Sequence, residues 1–299
     1  MTTSICPKCR QVSTCFFKTR DYNRRLSDEV FNYYRCATCD LIFLSPIPAD
    51  LQRYYPDDYY AIPVSLAELA ATAESLQRWK LDLVQRVARP GRLMEIGPAY
   101  GLFAYLAKQA GFTVETIERD ARCCRFLNDV VGIKVIESSA ITEQLQNLKP
   151  FNVIALWQVI EHLPDPWAVL TAAAERLTPD GVLVLDTPNP GAFQFRVLGR
   201  YWTHVDAPRH IELIPAPLLV KHMAQSGLHP VWLTAVDKGN FGFNSFGWAF
   251  SLKNFFMDPK AQAAAHFAGR VLSKLLIPIE RTDWRGSTYT AVFKKEGSQ

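Results

Sequence analysis

From residue 91 onward, short apolar runs alternate with stretches whose apolar residues recur every three or four positions. Runs of the first kind predict strands buried on both faces, and stretches of the second kind predict amphipathic helices. Strands are predicted over 93–97, 112–118, 133–137, 151–157, 181–186 and 230–236. A seventh, 287–294, is expected to pair antiparallel with the sixth. Helices are predicted over 101–110, 120–130, 166–177 and 217–226, with a short one ending at Leu148. Asp165 and Pro166 mark the start of one of them as N-cap and first helical residue. Such alternation predicts an α/β fold, a parallel sheet with crossover helices. Upstream, residues 67–88 carry helical spacing in Leu69, Leu76, Trp79, Leu83 and Val87, closed by Pro90-Gly91.

The first strand ends in Glu95-Ile96-Gly97-Pro98-Ala99-Tyr100-Gly101. A tight turn there, followed by a helix, presents backbone N–H groups and a carboxylate at the carboxyl end of a buried strand. Open α/β sheets bind nucleotide-like ligands at this place. Glu118 ends the next strand, 21 residues after Gly97, where an acid can accept hydrogen bonds from a ribose diol. A pyrophosphate would need closely spaced glycines and would be repelled by Glu95. The spacing therefore predicts an adenosine-bearing cofactor with a cationic amino-acid end. It resembles the first motif of class I S-adenosylmethionine-dependent methyltransferases, with Ala99 where that family usually has a further glycine.

Glu161 and His162 follow the fourth strand. A glutamate and histidine there can position a hydroxyl, take its proton or bind a metal, or can simply order the loop. Two long inserts follow. Residues 187–215 are rich in aromatic and polar groups, including His204, Asp206, Arg209 and His210, and are expected to mark a substrate pocket with His204 and His210 as candidate bases. Residues 240–286 carry seven Phe or Trp by residue 256, followed by an Ala-rich helix. A lid is the first reading of this insert, then a dimer surface, then a membrane-interface helix.

Cys6-x-x-Cys9 and Cys36-x-x-Cys39 are separated by 26 residues. Two such turns can give four thiolates to one tetrahedral ion, so a structural zinc ribbon is expected over residues 1–45, with a hairpin filling the gap. Residues 46–90 then form a Tyr-rich linker and the covering helix, and 91–299 the catalytic domain. Phe16, Phe17, Tyr22, Tyr33 and Tyr34 can stack on bases, but the expected role of the ribbon is a scaffold.

The 299 residues are 48% hydrophobic, enough for one large core with a small appendage. No apolar run approaches the ~20 residues of a membrane span, and no signal-peptide pattern opens the chain, so a cytoplasmic enzyme is expected. A net charge of +4 is too mild to imply nucleic acid.

The Glu161-His162-Leu163-Pro164-Asp165-Pro166 stretch resembles small-molecule class I methyltransferases, including the ubiquinone-biosynthesis O-methyltransferases. Some of these carry a cation-binding glutamate three residues before the Glu-His pair, where this chain has Gln158. A wider resemblance, spanning the four-cysteine ribbon, the Leu41-Ile42-Phe43-Leu44 exit, Thr187-Pro188-Asn189, Trp202 and the 206–210 segment, is to bacterial zinc-ribbon methyltransferases of the "methyltransferase domain 23" type. It implies a Rossmann-like seven-stranded sheet with its last strand antiparallel, and S-adenosylmethionine as cofactor. Glu95, Gly97 and Gly101 would then line the methionine end, Glu118 the ribose and Ser139 the adenine. Trp157 and Gln158 would border the adenine or the sulfonium, and His162, His210 and Glu161 would be the catalytic candidates. The acceptor is expected to be a small or carrier-bound molecule methylated on oxygen or carbon by a possible homodimer. The rivals are an RNA methyltransferase using the ribbon as a clamp, and a catalytically silent binding protein.

Overall fold

The computed structural model describes residues 2–282 and 284–295. Its N-terminal strands are β1 (Thr3–Ile5), β2 (Val12–Thr19), β3 (Phe31–Arg35) and β4 (Ile42–Leu44), each antiparallel to the next. Helix α1 (Leu66–Val87) follows, opened by the Ser65 hydroxyl accepting from the Glu68 N–H. The chain then alternates: β5 (Arg92–Ile96), α2 (Leu102–Gln109), β6 (Thr113–Glu118), α3 (Ala121–Phe126), β7 (Lys134–Glu137), α4 (Ile141–Gln146), β8 (Phe151–Trp157), α5 (Pro166–Glu175) and β9 (Leu177–Pro188). The last part holds α6 (Phe193–Leu198), β10 (Glu212–Leu213), α7 (Ala216–Gln225), β11 (Leu228–Thr234), α8 (Lys238–Lys253), α9 (Pro259–Glu280) and β12 (Thr288–Lys295).

Seven strands form one sheet in the order β11-β12-β9-β8-β5-β6-β7. β5 to β9 are mutually parallel, and β12 is antiparallel to both neighbours. The expected pairing of β12 with β11 is present. The strand also inserts beside β9, with Tyr289 opposite Thr187, a pairing the sequence does not reveal. The reason is geometric. The α8–α9 hairpin carries the chain out and back, so β12 starts near the end where β11 stopped and must run the other way.

Alternate residues of the central strands feed opposite faces. Met94, Ile96, Ile154 and Leu156 pack under α5 and α7, together with Cys6, Cys36, Leu41 and Phe43 of the N-terminal strands. Leu93, Val153, Ala155 and Val184 pack under α1 and α2. The four-cysteine ribbon thus shares a core with the large sheet. A second link is covalently remote: β10, from the insert after β9, adds antiparallel to β4 and completes the ribbon sheet. A third is a buried ion cluster. Arg209 bonds Asp21 of the ribbon at 2.7 Å and Asp206 at 2.7 Å, and the Arg209 and Asp21 side chains are 1% and 0% exposed.

Glu212, on β10, is buried, and burial pushes its carboxyl up to about 8; the same cause pushes Glu161 up to about 8. Their ordinary value is 4.5. Folding therefore binds protons at these groups, and the stability they contribute is full below pH 4.5 and lost as pH rises through about 8. Buried His162 and His204, pushed down to about 3 and about 4, act in the opposite sense but only below their ordinary 6.5. Between these limits the part of the melting temperature that these two carboxyls contribute is expected to fall as pH rises from 6.5 to 8. The limiting slope is about 1.4 kcal/mol per pH unit for each carboxyl. Glu212→Gln should flatten that fall, and an identical pH profile for the variant would refute the assignment.

Candidate active site

The turn after β5 folds as its glycines require. Gly97 and Gly101 have φ of +66° and +89°, and a Cβ on Gly101 would lie 2.4 Å from a Leu127 methyl. Ala99 also adopts a left-handed φ of 51°, which costs about 1 kcal/mol relative to glycine. Its N–H donates to Glu118 Oε2 at 3.0 Å. The other carboxylate oxygen, Oε1, accepts from the N–H groups of Arg119 and Asp120 at 2.7 and 2.9 Å. Glu118 is thus aimed across the carboxyl end of the sheet by three backbone donors. Burial raises its pKa, and these donors oppose the rise.

A cavity of about 150 Å³ sits beside this turn, with Gly97, Glu118, Ser139, Gln158 and His162 in its wall. Its cover is the Tyr-rich linker: Tyr55, Tyr59 and Tyr60. Arg119 stacks on the Tyr55 ring at 4.1 Å, and the Tyr55 hydroxyl meets His162 Nδ1 at 3.0 Å. Three of the residues expected at the cofactor stand outside this wall. Gly101 opens α2. Glu95 is buried under α1 and α2. Trp157 packs edge-on against Trp79 and Phe103 at 5.6 and 5.3 Å.

Lys80 accounts for the Glu95 side of the site, and the sequence reading missed it. Its ammonium lies 4.7 Å from the Trp157 ring and interacts with Asp186 and Glu95. Burial pushes the ammonium down and both carboxyls up, while their mutual attraction opposes all three shifts. One signal was legible. Leu69, Ala73, Lys80 and Val84 share one buried face of α1, and a lysine on an apolar stripe needs a buried anion. Asp186, at the end of β9, also accepts from the Gln158 N–H at 2.9 Å, so it fixes the loop after β8.

Beyond that loop Glu161, His162 and His210 converge, each offering a ligand atom within 4.8 Å of the others'. The two imidazoles meet edge-to-face at 4.5 Å. Thr187 Oγ1 donates to Glu161 Oε2 at 3.0 Å, whereas Glu161 Oε1 is buried with no hydrogen-bond partner among the described residues. His210 Nδ1 lies 2.8 Å from the His204 carbonyl. A carbonyl only accepts, so the proton is on Nδ1 and Nε2 is left as acceptor. His162 Nδ1 stands in the same relation to the Arg209 carbonyl at 3.1 Å. Burial drives His162 down to about 3 and His210 down as well, so both rings are neutral at pH 7. His204, the other histidine expected here, turns away to Phe243 O at 3.3 Å and packs on Trp202.

The ribbon holds this cluster in place. The Ile211 N–H donates to the Glu161 carbonyl at 2.6 Å, the Leu44 N–H to the Ile211 carbonyl at 2.8 Å, and the Tyr33 hydroxyl to the His210 carbonyl at 2.6 Å. At its far end, Cys6 and Cys39 sulfurs lie 3.6 Å apart and Cys9 and Cys36 sulfurs 3.3 Å apart, all four within 4.8 Å of one another. Four thiolates at 2.3 Å from one tetrahedral zinc stand roughly 3.8 Å apart, so the donor set fits that ion.

Residues 69–232 match the family model described as "Methyltransferase domain". A ubiquinone biosynthesis O-methyltransferase of Cereibacter sphaeroides is 28% identical over 173 residues, covering 54% of this chain and 68% of that protein. Two solved structures share the fold. One is a SAM-dependent methyltransferase from Archaeoglobus fulgidus, with a TM-score of 0.52 and 15% identity over 75% of this chain and 94% of that one. The other is a coclaurine N-methyltransferase bound to N-methylheliamine and SAH, with a TM-score of 0.53 and 12% identity over 83% of each chain.

Proposed function

The chain belongs to the methyltransferase-domain family, and we propose that it moves the methyl group of S-adenosylmethionine onto an oxygen of a small molecule. The observation that carries the oxygen acceptor is the convergence of Glu161, His162 and His210 beside the turn that holds Glu118. The cofactor supplies a sulfonium methyl that needs only an aligned nucleophile and the exclusion of water. In this reading Glu118 accepts from the ribose hydroxyls, Gly97 leaves room for the methionine end, and Ser139 and Gln158 flank the adenosine. Lys80, Glu95 and Asp186 set the charge beneath the amino-acid moiety. The linker tyrosines cover the adenosine, and must move, because about 150 Å³ is smaller than the ~300–1,000 Å³ of small-molecule sites.

An acceptor hydroxyl must lose its proton as the C–O bond forms. His162 and His210 are neutral with a free ring nitrogen, and Glu161, at about 8, titrates near neutrality with an unpaired oxygen. The proton passes to this cluster and then to solvent. Two imidazoles with one carboxylate match transition-metal ions better than magnesium, and Gln158 stands where a further carboxylate would help, so no step is routed through a divalent cation. The four cysteines we assign to structural zinc, which locks the ribbon and through it the Glu161 loop. The relative named for ubiquinone biosynthesis supports an O-methyl product, and the same name supports a phenolic acceptor first.

The test is SAH release from S-adenosylmethionine over a panel of phenols, catechols and hydroxy acids. Turnover is expected to rise with pH toward about 8, and Glu161→Gln is expected to lower kcat by about 10²-fold or more with little change in SAH affinity. Turnover only with amine or carbon acceptors, or full activity in Glu161→Gln, would sink the O-methyl reading.

A further inference from the structure

A second cavity, much larger than the one beside Glu118, lies on the ribbon side of the molecule. It holds about 1330 Å³ and lies between the ribbon and the domain. One wall is the second cysteine turn, Thr38, Cys39 and Asp40, and the facing wall is α6 with the turn after it. Its floor is the Asn189–Gly191 loop, and it shares no lining residue with the cofactor cavity.

Four cations line it, Arg35, Arg196, Arg200 and Lys221, against one acid, Asp40. Arg35 is consumed by Asp40 at 2.6 Å. Arg200 donates to the Tyr201 hydroxyl, a neutral partner. Arg196 and Lys221 have no side-chain hydrogen bond or ion pair among the described residues. Among the described residues, three positive charges therefore line one concavity without an acidic partner. Phe16 and Trp284 stand in the same lining, 45% and 43% exposed. Large rings left in solvent beside unpaired cations mark a surface suited to a flat or apolar group that carries negative charge.

We propose that this cavity binds an organic phosphate, its phosphoryl oxygens on Arg196, Arg200 and Lys221 and its base or hydrocarbon part on Phe16 and Trp284. A nucleoside diphosphate and an alkyl phosphate share that chemistry. A half-enclosed site of this size seats a single such ligand and offers no continuous track for a polynucleotide. The assignment also gives the ribbon a second job, since its cysteine turn forms a wall of the site. It stands independently of the acceptor chemistry proposed above.

The experiment is calorimetric titration of the full-length, zinc-loaded protein with uridine diphosphate, hexyl phosphate, inorganic pyrophosphate and a short oligouridylate. One of the first two is expected to bind with a Kd well below about 1 mM and more tightly than pyrophosphate; which of them does so separates the two sources. Arg196→Glu/Lys221→Glu should weaken it by about tenfold or more, with SAH affinity kept as the check on folding. Trp284→Ala should weaken it severalfold without altering its salt dependence. Absence of binding near 1 mM, equal binding of pyrophosphate, much tighter binding of the oligonucleotide, or unchanged binding by the double variant would each overturn the proposal.

Discussion

Cys36→Ser, or treatment with a zinc chelator, is expected to lower the melting temperature by roughly 10 °C or more and to abolish methyl transfer with it. The first effect follows from the energy of a four-thiolate zinc site, which in small metal modules supplies most of the folding free energy. At about 2–4 °C per kcal/mol for a domain of this size, losing even a few kcal/mol gives such a shift. The second follows from connectivity. Cys6 and Cys36 belong to the same buried cluster as Met94, Ile96 and Leu156 of the large sheet. From the ribbon, backbone bonds run through Leu44 and Ile211 to Glu161, and Tyr33 holds His210. A ribbon that melts therefore loosens the residues assigned to proton removal. Metal analysis should give about one zinc per chain. Far less than that, with a melting temperature indifferent to chelator, would reject the site.

Glu118→Ala is expected to weaken SAH binding by about 30- to 100-fold, the loss of one or two hydrogen bonds to a charged acceptor. Glu118 also receives the N–H groups of Ala99, Arg119 and Asp120, so the alanine variant disturbs the turn as well as the ribose contact. Glu118→Gln separates the two. The amide keeps one acceptor oxygen and the side-chain volume, and should lose about tenfold rather than all of the affinity. Calorimetry with SAH reads both. Micromolar binding that survives in both variants would place the cofactor elsewhere. This S-adenosylmethionine-dependent methyltransferase would then hold its cofactor without the ribose contact proposed for Glu118.

Much of this was legible in the chain. Short apolar runs, and apolar residues recurring every three or four positions, placed β5 to β9 and their helices, because burial on both faces leaves few sequences able to form such strands. The tight turn from Gly97 to Gly101 was readable from its glycine spacing, because its φ values are ones glycine takes freely. The paired cysteines announced the ribbon by spacing alone. Local chemistry of this kind is written in neighbouring residues. Contacts between distant residues are not. Arg209 finds Asp21 across 188 positions, β10 finds β4, β12 slips between β9 and β11, and Lys80 on α1 reaches Glu95 and Asp186. Each depends on how two elements dock, and a one-dimensional pattern carries no record of docking. The sequence by itself thus determined the sheet, the glycine turn after β5 and the four-cysteine ribbon, since those follow from periodicity and spacing. Tertiary structure alone decided that ribbon, insert and loop after β8 form one connected body around Glu161, because only burial in a shared core brings their charges and hydrogen bonds into register.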